Sequence, residues 1–255
     1  MKRIDVNCDM GEMPEAVANG TQEALMAYLS SVNIACGGHA GNEFTMTTTI
    51  EQALRHNIAI GAHPGFADRV NFGRAELDLP SKEITTSVFE QTSKLAEFAA
   101  NCGARILHVK AHGALYNQAA RDIRIAAAFA EGVARWNRGV VLVGLAGSTM
   151  LRVFREAGFK VAAEAFADRR YEPNGTLRSR KFADALIDDA EAAAEQALRI
   201  AERSSVIARD GTEIEVAAQT ICIHSDTSEA VNIASGVARR LNQAGVAIRS
   251  LASAS

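Results

Sequence analysis

Short apolar runs rich in Val and Ile alternate with longer amphipathic stretches from one end of the chain to the other. That order favours parallel strands joined by helical crossovers. Strands are predicted at 4–8, 31–35, 58–63, 106–110, 140–145, 160–165 and 220–224, with a run at 246–251 that could close the sheet. Helices are predicted at 21–29, 43–56, from Ser81 onward, and at 122–136, 148–157, 183–203 and 228–244. Ser81 and Asn42 read as helix caps. A hairpin is predicted at 206–217, turning on Asp210-Gly211. Seven βα units without a linker suggest one barrel domain over residues 1–255, of the (β/α)7 type within the α/β class. Periodicity alone does not separate it from an open doubly wound sheet.

Composition narrows the function. The 255 residues carry a formal charge of -3, and 48% are hydrophobic. No basic run interleaved with aromatics suggests nucleic acid, and no apolar stretch reaches the length of a membrane span. The first residues lead straight into a strand pattern, so the expectation is a cytoplasmic protein without a signal peptide. Four scattered Cys with no CxxC pair argue against disulfides or a zinc–thiolate site. Phosphate loops of the GxxxxGK[ST] and GxGxxG types are missing, as are HExxH and GxSxG.

In parallel α/β folds the chemistry sits at the carboxyl ends of the strands. Here those ends carry Asp5, Asn7 and Asp9, then Glu12; His39; His63; Lys110 and His112; Glu164 and Asp168; His224 and Asp226. Their convergence on one mouth would indicate an enzyme. Bland readings stand beside this one. Asp226 is read as a helix cap paired with Glu229, Asp5 equally as a structural carboxylate near the floor, and His56 as a surface residue. His224 could be a hydrogen-bonded core histidine. Arg169, Arg170, Arg178 and Arg180 form either a solvated face or a cradle for an anion or a partner chain. Cys36, beside His39, is a minority candidate nucleophile. Carboxylate, imidazole and ammonium together suit hydrolysis of an amide-like bond. A divalent metal on Asp9 and two imidazoles is compatible with the sequence, and spacing neither supports nor excludes it.

The runs DVNCDMGE at 5–12, NIACGGHAG at 33–41, GAHP at 61–64, FGR at 72–74, VKAHGALYN at 109–117, EAFADRRY at 164–171 and ICIHSD at 221–226 resemble the LamB/YcsF family, in the same order and spacing. Gly38, Asn42, Ala111 and Ser225 depart from residues common in that family. The resemblance implies a barrel similar to the glycoside hydrolase/deacetylase superfamily. It implies the A component of an ATP-dependent 5-oxoprolinase, which opens 5-oxo-L-proline to L-glutamate with subunits B and C. ATP would then be bound or used through those partners. In that setting Asp9 or His63 would activate water, Lys110 and His112 would hold a phosphate or oxyanion, and Glu164 or His39 would handle the proton on nitrogen. Asn7, Glu12, His39, Arg74, Asp168, Arg169 and His224 would contact substrate. Two alternatives remain: a stand-alone metal-dependent amide hydrolase or deacetylase, and a non-catalytic subunit that binds a small acid. The sequence leaves a homo-oligomer open.

Overall fold

Strand β1 (Arg3–Met10) sets the pattern of the whole molecule. Side chains alternate across a strand. Val6, Cys8 and Met10 therefore face the helices, while Asp5, Asn7 and Asp9 face the opposite side. The computed structural model describes residues 2–227 and 229–251. In chain order the next elements are α1 (Pro14–Ala18), α2 (Thr21–Met26), β2 (Ser31–Ala35), α3 (Glu43–Arg55), β3 (Ala59–His63), α4 (Ser81–Asn101) and β4 (His108–Lys110). They are followed by α5 (Gly113–Arg121), α6 (Ile123–Trp136), β5 (Val141–Leu145), α7 (Thr149–Glu156) and β6 (Lys160–Phe166). The last are α8 (Ala190–Arg203), the antiparallel pair β7 (Ser205–Ile207) and β8 (Glu213–Glu215), β9 (Thr220–Ile223), α9 (Ala230–Gln243) and β10 (Ala247–Ile248).

Among the described residues, β1, β2, β3, β4, β5, β6 and β9 form a parallel sheet that closes on itself. The closing pair is β9 on β1, with Asp5 opposite Thr220 and Asn7 opposite Cys222. The helices pack around it over a continuous apolar shell that includes Val32, Ile34, Val109, Leu142, Ala165 and Ile221. Inside the barrel, by contrast, the side chains are polar. Asp5, Asn7, Asn33, His108, Lys110, Glu164 and Thr220 are all buried there. Buried polar groups are costly unless hydrogen-bonded, and these satisfy one another across the lumen. Ser30, Ser31 and Thr220 donate to Asp5 at the floor. Asn7 Nδ2 donates to Glu164 at 3.0 Å and to Thr220. His108 Nε2 donates to Asn33 Oδ1 at 2.8 Å.

Several elements differ from the sequence reading. The 246–251 run contributes only β10, a short parallel addition outside the start of β1, because β9 already occupies the closing position. The helix expected from 183 begins at Ala190. The segment before it is tied onto the loop after β6, where Ala185 accepts from the Arg170 amide and Ile187 donates to the Asp168 carbonyl. Helices α1 and α5 add to the expected set. Pro80 takes the cap position of α4, and Ser81 is its first residue. Asn42 does cap α3, in a reciprocal pair with Thr45. The expected start of the last helix, Ser228, lies outside the described residues. No helix among the described residues is long and apolar enough to cross a membrane.

Candidate functional site at the barrel mouth

Four turns carry side chains to one point above the carboxyl ends of β1 to β4. Glu12 follows β1, and His39 sits in the 36–41 loop, which is closed by a Gly37 amide to Ala40 carbonyl bond of 2.7 Å. His63 ends β3, and His112 caps the start of α5. Glu12 Oε1 lies 2.9 Å from His39 Nε2, 3.1 Å from His112 Nδ1 and 3.9 Å from His63 Nε2. His63 Nε2 and His112 Nδ1 are 3.0 Å apart. The His39 and His112 rings stack at 3.6 Å.

The far nitrogens of two rings are committed. His63 Nδ1 donates to the Lys110 carbonyl and His112 Nε2 to the Phe72 carbonyl, each at 2.9 Å. Neutral imidazole carries one donor and one acceptor. In the neutral rings both remaining nitrogens therefore turn lone pairs toward each other and toward Glu12. Phe72 holds its carbonyl in place from a left-handed conformation, φ 55°, which a bulky residue adopts only under constraint. Gly73 follows at φ 63°, and a Cβ there would come within 2.7 Å of His39 Cβ.

Beneath this cluster Lys110 is buried and fully engaged. Its Nζ lies 2.8 Å from Glu164 Oε1, 3.0 Å from Asp9 Oδ1 and 3.2 Å from Cys222 Sγ. Asp9 Oδ2 stands 3.2 Å from His63 Nε2, and Asn33 donates to Oδ1. Burial acts to raise the Asp9 pKa, but the charges of His63 and Lys110 outweigh it and hold Asp9 well below the carboxylate range. Burial pushes His39 down to about 4 and His108 to about 3, so both rings are neutral near pH 7. Asp9 and Glu164 flank the Lys110 ammonium, while Glu12 faces His39, His63 and His112.

A second group lines the β6 and β9 side of the mouth. Asp168 receives the His224 amide at 2.7 Å and its Nδ1 at 2.9 Å, and the His224 ring stacks on Phe166. Arg74, from the loop after β3, reaches across to Asp226 Oδ2 at 2.7 Å, and Arg180 joins the same oxygen at 2.8 Å. Arg178 is held by Asp184 and Glu172.

The residues singled out from the sequence therefore meet, but several in other positions than expected. Glu164 is fully buried, with its oxygens taken by Lys110, Asn7 and the Tyr116 hydroxyl. It lies beneath the cavity, where it cannot meet a leaving nitrogen without rearrangement. The donors of Lys110 are already spent, which leaves none for a phosphate. Asp226 is engaged by Arg74, which crosses the mouth, and by Arg180 from the loop after β6. The Cys36 thiol is buried and pushed up to about 12, against a nucleophilic thiolate. Asn33, Tyr116 and the Phe72 carbonyl were not among the candidates; His108, which alternation puts on the same strand face as Lys110 and His112, is bonded to Asn33 below the mouth. Asn33 had a signal, since it sits on the lumen face of β2 opposite Asp9. The Phe72 carbonyl had none, being backbone.

The metal-ligand set also differs from Asp9 plus two imidazoles. The compact donors are Glu12, His39, His63 and His112, with ligand atoms all within 4.8 Å of one another. Zinc–nitrogen bonds of about 2.0–2.1 Å place tetrahedral ligands roughly 3.3 Å apart, and the separations of 2.9–3.9 Å given above bracket that value. In the neutral rings the lone pairs of His63 and His112 converge on the Glu12 carboxylate, so the chemistry and spacing of these donors fit a divalent N/O-bound metal.

Barrel and site together define an α/β protein with a hydrolase-type mouth: one carboxylate–imidazole cluster, one buried lysine and a cationic rim. The chain is 43% identical over 249 residues to the A component of 5-oxoprolinase from Staphylococcus carnosus, covering 98% of this chain and 99% of that one. It is similar to the crystal structure of a lactam utilization protein from Thermus thermophilus, with TM-score 0.90, 40% identity and coverage of 97% and 99%. At the level of fold alone it is similar to peptidoglycan deacetylase PdaC from Bacillus subtilis, with TM-score 0.50, 12% identity and coverage of 98% and 88%. Residues 4–255 match the LamB/YcsF family, and the chain belongs to it.

Proposed function

We propose that this chain is the lactam-opening A component of an ATP-dependent 5-oxoprolinase, converting 5-oxo-L-proline to L-glutamate with B and C subunits in the cytoplasm. The reading is supported by the names of its relatives and carried by one observation. Asp9 is the most exposed member of the buried cluster, with 13% of its side chain accessible beside His63.

A five-membered lactam is an unactivated amide whose ring tends to re-form. Transfer of the ATP terminal phosphoryl group to its carbonyl oxygen, in a partner subunit, supplies the driving force. In this chain water then adds to the carbonyl carbon and the ring C–N bond breaks. The nitrogen gains a proton, and a second water hydrolyses the acyl phosphate to glutamate and phosphate. Asp9 is held ionised and acts as the base on the first water. Lys110 offsets charge beneath it, and Glu164, Tyr116 and Asn7 position that lysine. His224, oriented through Nδ1 by Asp168, donates the proton to nitrogen in place of Glu164 or His39. Glu12, His39, His63 and His112 would hold a divalent metal, which would supply Lewis acidity to the substrate when bound. Arg74 and Asp226 bridge the entrance.

The test is conversion of 5-oxo-L-proline by the purified chain, with and without partner subunits and ATP, alongside its metal content. Glutamate formation only with partners and ATP is the expected result. Turnover by the chain alone without ATP would replace this reading with a stand-alone metal-dependent amide hydrolase. Binding of the acid, with coupled activity unchanged in Asp9 and His63 variants, would replace it with a regulatory subunit.

A further inference from the structure

Among the described residues, Arg169 is the one guanidinium of its loop that is deeply buried without a carboxylate. It is 8% exposed and forms no ion pair there. Its Nη2 donates to the Arg178 carbonyl at 2.7 Å, and its buried Nε has no partner. The nearest acid, Asp168, is already bound twice by His224. Burial, with repulsion from Arg180, lowers the Arg169 pKa to about 10 despite the opposing Asp168 charge. A buried cation is costly unless paired. Arg74 and Arg180 share one Asp226 oxygen, and Arg178 is taken by Glu172 and Asp184, so none of these acids is left for Arg169.

The position is informative. Metal-type donors come from the ends of β1 to β4, while Arg169, Arg180 and His224 come from the ends of β6 and β9. Lys110, 3.2 Å from Cys222, lies between the two halves. A ligand that engages Asp9 and His63 and also spans to the β6 and β9 ends would meet the strand end that carries Arg169.

We propose that Arg169, assisted by Arg180, forms an anion-binding subsite on the β6–β9 side of the mouth, taking the anionic oxygens of the substrate. Those oxygens belong either to a carboxylate on the lactam ring or to a phosphoryl group delivered with it. Planar guanidinium suits both. The identity of the ligand rests on the lactam reading above; the anion subsite itself does not.

Titration calorimetry on the 255-residue chain tests this with 5-oxo-L-proline, 2-pyrrolidinone (the same ring without its carboxylate) and inorganic phosphate. Wild type is expected to bind 5-oxo-L-proline about 10- to 100-fold tighter than 2-pyrrolidinone, the range of charge-assisted hydrogen bonds. Arg169→Gln removes that preference while leaving 2-pyrrolidinone binding unchanged, and Arg169→Lys restores part of it. Unchanged 2-pyrrolidinone binding also reports that the variant is folded. Arg169-dependent binding of phosphate alone would retain the subsite, assign it to a phosphoryl group and remove the support for the lactam reading. Equal binding of both lactams by wild type, with phosphate either not bound or bound equally by Arg169→Gln, would overturn the subsite and leave the lactam reading standing. Absence of binding by all three probes would overturn it as well.

Discussion

Histidine and aspartate in this barrel are divided by depth. His63 and His112 spend one ring nitrogen on a backbone carbonyl and offer the other to the mouth, whereas His108 lies lower, neutral and bonded to Asn33. Asp9 reaches solvent; Asp5 does not, and three hydroxyls hold it at the floor. Burial raises the Asp5 pKa to about 6 from an ordinary 3.8. The folded state therefore binds this proton more tightly than the unfolded chain, and stability from this group declines as pH rises from about 4 to 6. Chemical denaturation across that window should show wild type losing about 2–3 kcal/mol relative to Asp5→Asn, from a two-unit shift at about 1.4 kcal/mol per unit. A wild-type-minus-variant difference that is flat with pH would show that Asp5 titrates normally. Asp5 was equally readable as structural or functional in the sequence, because alternation gives the face of a strand and not the depth along the barrel.

At the scale of elements, β1 to β6 and β9 were legible because aliphatic and β-branched residues repeat at strand spacing. The 206–217 hairpin was legible from Asp-Gly. What escaped has a physical cause. Residues 183–189 carry helix-forming Ala and Leu, but a turn at 182–185 and tertiary backbone bonds to Arg170 and Asp168 tie them to the loop. Helix α5 is short and starts on Gly113 at φ 53°, a residue that reads as a break. Strand β3 meets β4 under a tight constraint, since a Cβ on Gly61 would fall inside the His108 imidazole. His108 is buried and held by Asn33. Gly61→Ala should therefore cost about 1–3 kcal/mol by overpacking, measured by urea unfolding. Wild-type stability would mean that β4 moves freely against β3.

For the molecule as a whole, closure of the sheet is what turns a scattered set of residues into a site. Asp9 and His224 are separated by most of the chain, yet β9 pairs directly with β1. The sequence could list the residues at strand ends, but the division into a donor half, a lysine-centred floor and a cationic half depends on which strands become neighbours on closure. It also depends on the Phe72 carbonyl, which no side-chain pattern reveals. The central claim is that lactam opening occurs at this mouth, with Asp9 as its base. The most direct measurement is the rate of glutamate formation by the reconstituted complex carrying Asp9→Asn, with circular dichroism matching wild type. A loss of about 10²- to 10⁴-fold is the expected result; a rate within about twofold of wild type would contradict it.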